Sequence, residues 1–209
     1  MFTKMTLQTP ADMRTSIHLD IGCGANPRNP YDCHRVVGID IVERLDGSNN
    51  IQFLKCDPSI EPLPFPNSYF TSVSAFDFLE HVPRLIYLER KPFFPFIHLM
   101  NEIYRVLIPN GRFIAVTPVY PKISAFSDPT HVNFLTKDSL KYFSTPFNWA
   151  AMYDFSGSFS PIHNKEVNFR YYTDSFKSQP LIKKIIRGVH QSICPGTKKH
   201  IAWNLLALK

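Results

Sequence analysis

The apolar positions of the chain fall into short runs, and the first four each end on or beside a glycine or an acid. Ile17–Gly22, "IHLDIG", is strand-like, and Val36–Asp40, "VVGID", is a second strand that closes on a carboxylate. Ile51–Cys56, "IQFLKC", leads into Asp57, and Ser72–Phe76, "SVSAF", leads into Asp77. Gly111–Pro118, "GRFIAVTP", is a fifth strand. Before it, His98–Leu107 repeats apolar residues at Leu99, Ile103, Val106 and Leu107, the spacing of one helix face, and "IPNG" ends it as a turn. Strands alternating with crossover segments predict an α/β fold with a parallel sheet covered on both faces.

After Pro118 the pattern changes. Val119–Thr136 is irregular and polar, and Thr136–Phe143, "TKDSLKYF", reads as a short helix with Thr136 as its N-cap. Asn164–Tyr172 alternates like a strand, and Pro180–Ile193 carries Leu181, Ile182, Ile185, Ile186 and Val189 on one helical side. The last run, "HIAWNLLALK", reads as a buried strand that enters the sheet antiparallel. In open α/β sheets ligands lie beyond the carboxyl ends of the strands, which puts the Val119–Thr136 loop beside a substrate.

A length of 209 residues fits one domain, and an apolar content of 44% is enough for a globular core. No apolar run reaches the length of a membrane-spanning helix, and "MFTKMTLQTPADMR" lacks the apolar core of a secretory signal, so a soluble cytoplasmic protein is expected. The four cysteines, Cys23, Cys33, Cys56 and Cys194, form no CxxC pair. They read as free thiols of a reducing compartment, and no metal site is expected. The net charge of +6 is scattered except for the run Lys183–Lys199. That run is either a solvated face or a contact for an anionic acceptor, RNA included. "KPFFPFIHLM" places Phe93, Phe94 and Phe96 among prolines, as core, as a lid or as an oligomer contact.

The candidate chemistry lies at the strand ends. Gly22 and Gly24 let the backbone turn tightly and approach a ligand without a Cβ in the way. Asp40 stands 20 residues after Asp20, where an acid can accept from both hydroxyls of a ribose. Asp57, after the next strand, can accept from an adenine amino group. Three acids at consecutive strand ends repel phosphate, which prefers donors and positive charge. An adenosine carrying a sulfonium or ammonium cation suits them better than NAD or ATP.

Together "LDIGCGANP", "VVGIDI", "KCDPSIEPLPFPNSYFTSVSAFDFLEHVP" and "LMNEIYRVLIPNGRFIAVTP" resemble the successive motifs of class I S-adenosylmethionine-dependent methyltransferases. The resemblance spans about Ile17 to Pro118. It implies a Rossmann-like, doubly wound sheet of seven strands, mostly parallel, with the last strand antiparallel. It divides a single domain, 1–209, into a cofactor-binding half at 17–118 and an acceptor loop with C-terminal strands at 119–209. It implies that Asp20, Gly22 and Gly24 hold the methionine end, that Asp40 takes the ribose, that Ile41 packs on the adenine and that Asp57 binds its amino group. Asp77 would lie near the donor methyl. "LEHVP" resembles the family's helix after the fourth strand. Asn26 replaces the third glycine, Thr71 replaces an aspartate, and Pro27 and Pro30 leave room for about one turn of a first helix. This resembles a GCGxNP subgroup with a shortened first crossover.

The expected reaction is transfer of a methyl group from S-adenosylmethionine to a small-molecule or saccharide-type acceptor, with no DNA partner. The family has no fixed catalytic residue. Asp77 is read as a ligand or catalytic group, or as a helix cap. His131 is read as a substrate contact or general base, or as a loop-holding residue, with Asp128 beside it in "SDPTHVNF". His81, beside Glu80 on the "LEHV" turn, is read as a structural hydrogen-bonding group or a base, and Tyr120 as a wall of the acceptor pocket. Two other classes stand beside this one: a non-catalytic methyltransferase-like partner subunit, and an NAD-dependent oxidoreductase.

Overall fold

Leu19 and Ile21 alternate with His18 and Asp20 along the first strand, and all four are fully buried. Both faces of this strand are therefore covered, and one of them is polar. The computed structural model describes residues 15–44, 50–174 and 198–209. Its strands are β1 (Ile17–Ile21), β2 (Arg35–Asp40), β3 (Ile51–Lys55), β4 (Phe70–Phe76), β5 (Ile86–Leu88), β6 (Lys91–Phe93), β7 (Leu107–Pro118), β8 (Phe159–Val167) and β9 (His200–Ala207). Seven of them form one sheet in the order β3-β2-β1-β4-β7-β9-β8, and β5 and β6 pair as a separate hairpin. The pairings β3–β2, β2–β1, β1–β4 and β4–β7 are parallel, and β9 runs antiparallel to both its neighbours. The chain reverses its direction of progress between β1 and β4, which opens a crevice at their carboxyl ends.

One face of the sheet packs on α1 (Pro95–Val106). Leu99, Met100, Ile103 and Val106 lie on one side of it and meet Leu19, Ile21, Val73, Ala75 and Phe113 in the main core. Pro95 opens the helix, where its missing N–H costs nothing. Glu102 and Arg105 tie α1 to the β3–β4 connection. The Arg105 guanidinium donates to both Glu102 oxygens, at 2.8 and 2.7 Å, and to the carbonyls of Leu63 and Phe65. Glu102 also accepts from the Leu63 N–H at 2.7 Å. Burial alone would raise the Glu102 carboxyl, but the Arg105 and Leu63 donors outweigh it and hold the group below its ordinary value.

The opposite face carries a smaller apolar cluster of Phe76, Ile114, Val116, Val167 and Ala202 under Tyr31 and Phe169. Its cover is the loop 22–34 and α2 (Phe169–Asp174), not a first crossover helix. Pro27 and Pro30 explain the absence of helix in that loop. Asn29 clips the loop in its place: its side chain donates to the Cys33 carbonyl at 2.8 Å and accepts from the Cys33 N–H at 2.9 Å. Beneath the loop runs a buried polar row. The two ring nitrogens of His18 lie 2.8 Å from Ser72 Oγ and 2.8 Å from Ser74 Oγ, and the Ser74 hydroxyl donates to Asp20. Because Ser74 gives its proton to Asp20, it accepts from Nε2–H of His18, and Nδ1 accepts from Ser72. Burial lowers the His18 pKa to about 3, so the ring is neutral.

Several elements differ from the sequence pattern. β4 begins at Phe70, and Thr71 lies within it, donating to the Ile17 carbonyl at 2.8 Å. The segment after β4 is a single 3₁₀ turn, Leu79–His81, not a longer helix, because Pro83 follows it closely. The strand expected at Asn164–Tyr172 lies earlier, at Phe159–Val167, and α2 takes up the rest. The Thr136–Phe143 helix is 3₁₀, over Lys137–Tyr142, with the Thr136 N–H donating to Ser139 Oγ at 3.0 Å. Phe96 packs against the core, whereas Phe94 is partly exposed beside Tyr153. Cys23, Cys33 and Cys56 are free and buried. Cys194, the Pro180–Ile193 helix, most of the basic run and the N-terminal fourteen residues lie outside the described residues. No helix among the described residues is long and apolar enough to cross a membrane.

Glu102→Gln keeps an acceptor for Leu63 but turns an amide toward Arg105. It is expected to cost about 1–3 kcal/mol at pH 7 in urea denaturation. A depressed carboxyl stabilises the fold above its unfolded pKa and loses that effect as pH falls through its folded value. The gap between wild type and Glu102→Gln is therefore expected to close below the ordinary glutamate range, and a gap independent of pH would contradict the ion-pair assignment.

Candidate active site

The loop after β1 is shaped by two glycines in the left-handed region, Gly22 at φ +64° and Gly24 at φ +58°. A Cβ on Gly22 would lie 2.4 Å from a ring carbon of Phe78, so the loop sits directly against the segment after β4. A Cβ on Gly24 would meet no described residue within 4 Å, so among the described residues this glycine faces open space. Asp40, at the end of β2, holds the loop from the side. Its Oδ2 accepts from the Gly24 N–H at 2.9 Å, and its Oδ1 accepts from the Val42 N–H at 3.0 Å. Each carboxylate oxygen keeps a second lone pair for a ligand hydroxyl. Ile41, next to it, is 62% exposed, an apolar side chain without a cover.

Asp57 is brought beside Asp40 by the Cys56 N–H, which donates to the Asp40 carbonyl at 3.0 Å. One Asp57 oxygen accepts from the Ser59 N–H at 3.0 Å, so the side chain starts a turn and keeps its other oxygen. Asp20 has a different place. It is fully buried, accepting from Ser74 and, at 2.7 Å, from the Arg28 N–H. Burial raises its carboxyl to about 6, against the lowering effect of these donors. Asp20 thus anchors the loop from below and presents no surface to a ligand. Its charge is nevertheless felt: the Cys23 thiol is pushed up to about 12, first by burial and then by Asp20 and Asp40. Arg44 acts on the same thiol in the opposite sense, and the carboxylates of Asp40 and Asp57 are the rim groups suited to a cation.

The carboxyl end of β4 begins a second cluster. Asp77 has φ +49°, strained for a non-glycine, and its N–H donates to the Val116 carbonyl at 2.8 Å. Its carboxylate lies 3.3 Å from Nε2 of His200 on β9, and it caps no helix. Glu80 is buried, accepts from the Thr117 hydroxyl at 2.8 Å, and has its carboxyl raised to about 7, mainly by burial and then by Asp77. The β7–β8 connection folds over this turn, for the N–H groups of Val132 and Asn133 donate to the Glu80 carbonyl. Asp128 is exposed and holds its own turn, accepting from the Thr130 N–H and hydroxyl. His131 donates through Nδ1 to the Ala125 carbonyl at 3.1 Å. Tyr120 is half-exposed, its N–H donating to the Leu135 carbonyl and its ring edge-on to Phe126. Beside β4, a cavity of about 470 Å³ is lined by Asn26, Arg28, Asn29, Phe76, Phe169 and Thr173.

The family model for a methyltransferase domain matches residues 19–115. No curated protein matches the chain. Among solved structures, the putative methyltransferase complexed with the Trm112 methyltransferase activator of Haloferax volcanii is similar at TM-score 0.58 and 12% identity, over 93% of this chain and 84% of that one. A putative S-adenosylmethionine-dependent methyltransferase from Listeria monocytogenes is similar at TM-score 0.53 and 14% identity, over 95% and 93%. The [4+2]-cyclase SpnF is similar at 0.52 and 14%, over 92% and 74%. Residues 19–115 thus match the model of a methyltransferase domain, and the solved structures share the fold. Identities this low speak for the fold of this domain and not for its acceptor.

The residues of the methyltransferase domain fit its cofactor on their own terms. Gly24 leaves space, Asp40 retains lone pairs, Ile41 offers an exposed apolar face, and the rim carries the Asp40 and Asp57 carboxylates. His200 and Thr117 were missed by the sequence pattern. Nothing in an apolar final run marks His200, and only the β7–β9 pairing, Pro118 to His200, brings it to Asp77.

The two glycines separate in mutagenesis. Gly22→Ala combines a forbidden φ with the Phe78 overlap and is expected to lower stability by several kcal/mol, while Gly24→Ala carries only the φ penalty, about 1–2 kcal/mol. Gly24→Ala is nonetheless expected to weaken cofactor binding at least 10-fold, measured by titration of the folded variant. Equal stability losses would contradict this placement.

Proposed function

We propose that this protein transfers the methyl group of S-adenosylmethionine to a nucleophilic atom of a small-molecule or saccharide-type acceptor. The observation that carries the reading is the Asp40–Gly24 contact: a carboxylate at the end of β2 fixes an open glycine loop at the end of β1. Bound S-adenosylmethionine supplies a methyl already activated by its sulfonium charge. The protein's part is then to orient and to exclude water. Asp40 accepts from ribose hydroxyls, Ile41 lies on the adenine face and Asp57 accepts from the amino group. Asp20, through Arg28 and the loop, provides negative potential at the methionine end without touching it.

The cavity beside β4 supports a small acceptor. Its volume of about 470 Å³ lies in the range of ordinary ligand sites. Asn26, Asn29 and Thr173 line it with hydrogen-bonding groups, and Phe169 adds a partly exposed ring, a lining that suits a saccharide. Arg28 lies over the Phe76 and Phe169 rings, 5.0 and 5.9 Å from their centroids, and can meet an anionic substituent.

Calorimetric titration with S-adenosylhomocysteine is expected to show one site, weakened about 10-fold or more in Asp40→Asn, the worth of one charged hydrogen bond. NADH is expected not to bind. Binding of NADH without S-adenosylhomocysteine would replace this reading with the oxidoreductase one.

A further inference from the structure

Glu80, His81 and His131 form a cluster that the cofactor rim does not use. One ligand atom from each lies within 4.8 Å of the other two. The rings of His81 and His131 stand edge to face, 4.8 Å between centroids, though the residues are 50 apart in the chain. Backbone and side-chain bonds hold the two segments together. The Val132 and Asn133 N–H groups donate to the Glu80 carbonyl, at 2.8 and 3.0 Å, and the Asn133 amide donates to the Leu79 and Val82 carbonyls.

The hydrogen bonds decide the state of both rings. The Ala125 carbonyl can only accept, so Nδ1 of His131 carries a proton. The Thr130 hydroxyl gives its proton to Asp128, at 2.7 Å, so its oxygen accepts from Nδ1–H of His81, at 2.9 Å. In the neutral form of each ring this leaves the lone pair on Nε2. Ligating histidines are typically fixed in this way, by donating the other ring N–H to a carbonyl or toward a carboxylate. Glu80 supplies an independent sign. Its Oε2 is satisfied by Thr117, but its Oε1 is buried with no hydrogen-bond partner among the described residues, although the residue is only 1% exposed. An unmet buried carboxylate oxygen is costly, and a cation would meet it.

We propose that Glu80 Oε1 and the Nε2 atoms of His81 and His131 hold a divalent transition-metal cation in the turn after the carboxyl end of β4. Two imidazoles and one carboxylate suit Zn²⁺, Fe²⁺, Mn²⁺ or Co²⁺, whereas Mg²⁺ and Ca²⁺ prefer oxygen alone. Metal–ligand distances near 2.1 Å put ligand atoms about 3.4 Å apart in a tetrahedron, so the cluster closes by up to about 1.4 Å on binding. Both histidines are only half-buried and can turn to do so. Three protein ligands leave a position open, the pattern of catalytic rather than structural sites. The cluster starts three residues after Asp77, and Asp77 and His200 both act electrostatically on Glu80.

The role of the cation rests on the methyl-transfer reading; its existence does not. In that role the open position takes an acceptor oxygen. The hydroxyl proton leaves to solvent, the oxygen forms the new C–O bond, and the C–S bond of the donor breaks to release S-adenosylhomocysteine.

The test uses the full-length chain, free of any affinity tag and stripped with EDTA. It is titrated with ZnCl₂ by calorimetry, and with CoCl₂ followed by visible absorption. One equivalent of Zn²⁺ is expected to bind, at least 10-fold more weakly in His81→Ala and in His131→Ala. Thr130→Val, which removes only the acceptor for His81 Nδ1–H, is expected to weaken it less, and exposed His34→Ala to leave it unchanged. Melting by circular dichroism verifies folding. His131 lies in a loop, so its variant remains informative even where His81→Ala unfolds. Failure of the folded wild type to bind one equivalent of Zn²⁺, or binding unchanged in His131→Ala, would overturn the proposal. S-adenosylhomocysteine is titrated in parallel. Zn²⁺ binding lost with His131 supports the metal site whether or not that ligand binds, so the two readings fail separately.

Discussion

Asp20 is a carboxylate without contact with water, and the first loop of the protein hangs from it. Ser74 donates to one of its oxygens from β4, and the Arg28 N–H donates to the other from the loop. His18 and Ser72 extend the same row beneath. Taking a charge out of water is expensive, and burial does raise Asp20 to about 6. The donors make it tolerable, and in return a helix-free loop is fixed above the point where the sheet reverses. Everything at the cofactor rim follows from that position. Gly22 can lie on Phe78, Gly24 can face open space, and Asp40 can reach across from β2. A fold that lacks the usual first crossover helix has replaced packing with a buried polar row.

The end of β4 is built on another constraint, the closing of the β7–β8 connection over the turn after it. Asn133 and Val132 bind that turn's carbonyls, and the loop consequently sets His131 against His81. The two halves of the site thus have separate supports. The rim is set by the sheet and its first loop, and the opposite side by loop-to-turn bonds. A domain built this way can keep its cofactor site while its acceptor chemistry changes, which is why resemblance in the first half says little about what receives the methyl group.

The parts legible in the sequence were those with local causes. The periodicity of Leu99, Ile103 and Val106 marked α1, and acids at strand ends marked the rim. What was hidden had distant or weak causes. β8 is a sheet edge buried mainly at its two ends, so its alternation carried little register. The β5–β6 hairpin turns through Glu89 and Arg90, both at positive φ, without the Asn-Gly signal that such turns normally show. The cysteine pattern suggested no metal, and it could not speak for a cluster of histidines and a glutamate joined only by tertiary contacts. Asp20 was read at the ligand because of its motif position, whereas its burial places it one layer beneath.

The Gly22–Gly24 loop and Asp40 are the proposed cofactor cradle. The most direct measurement is an amide ¹H–¹⁵N correlation spectrum followed through a titration with S-adenosylhomocysteine. The Gly24, Ile41 and Val42 amides are expected to move furthest, because a ligand on Asp40 disturbs both N–H groups that this carboxylate accepts from. Shifts confined to other parts of the molecule, with these amides unmoved at saturation, would contradict it.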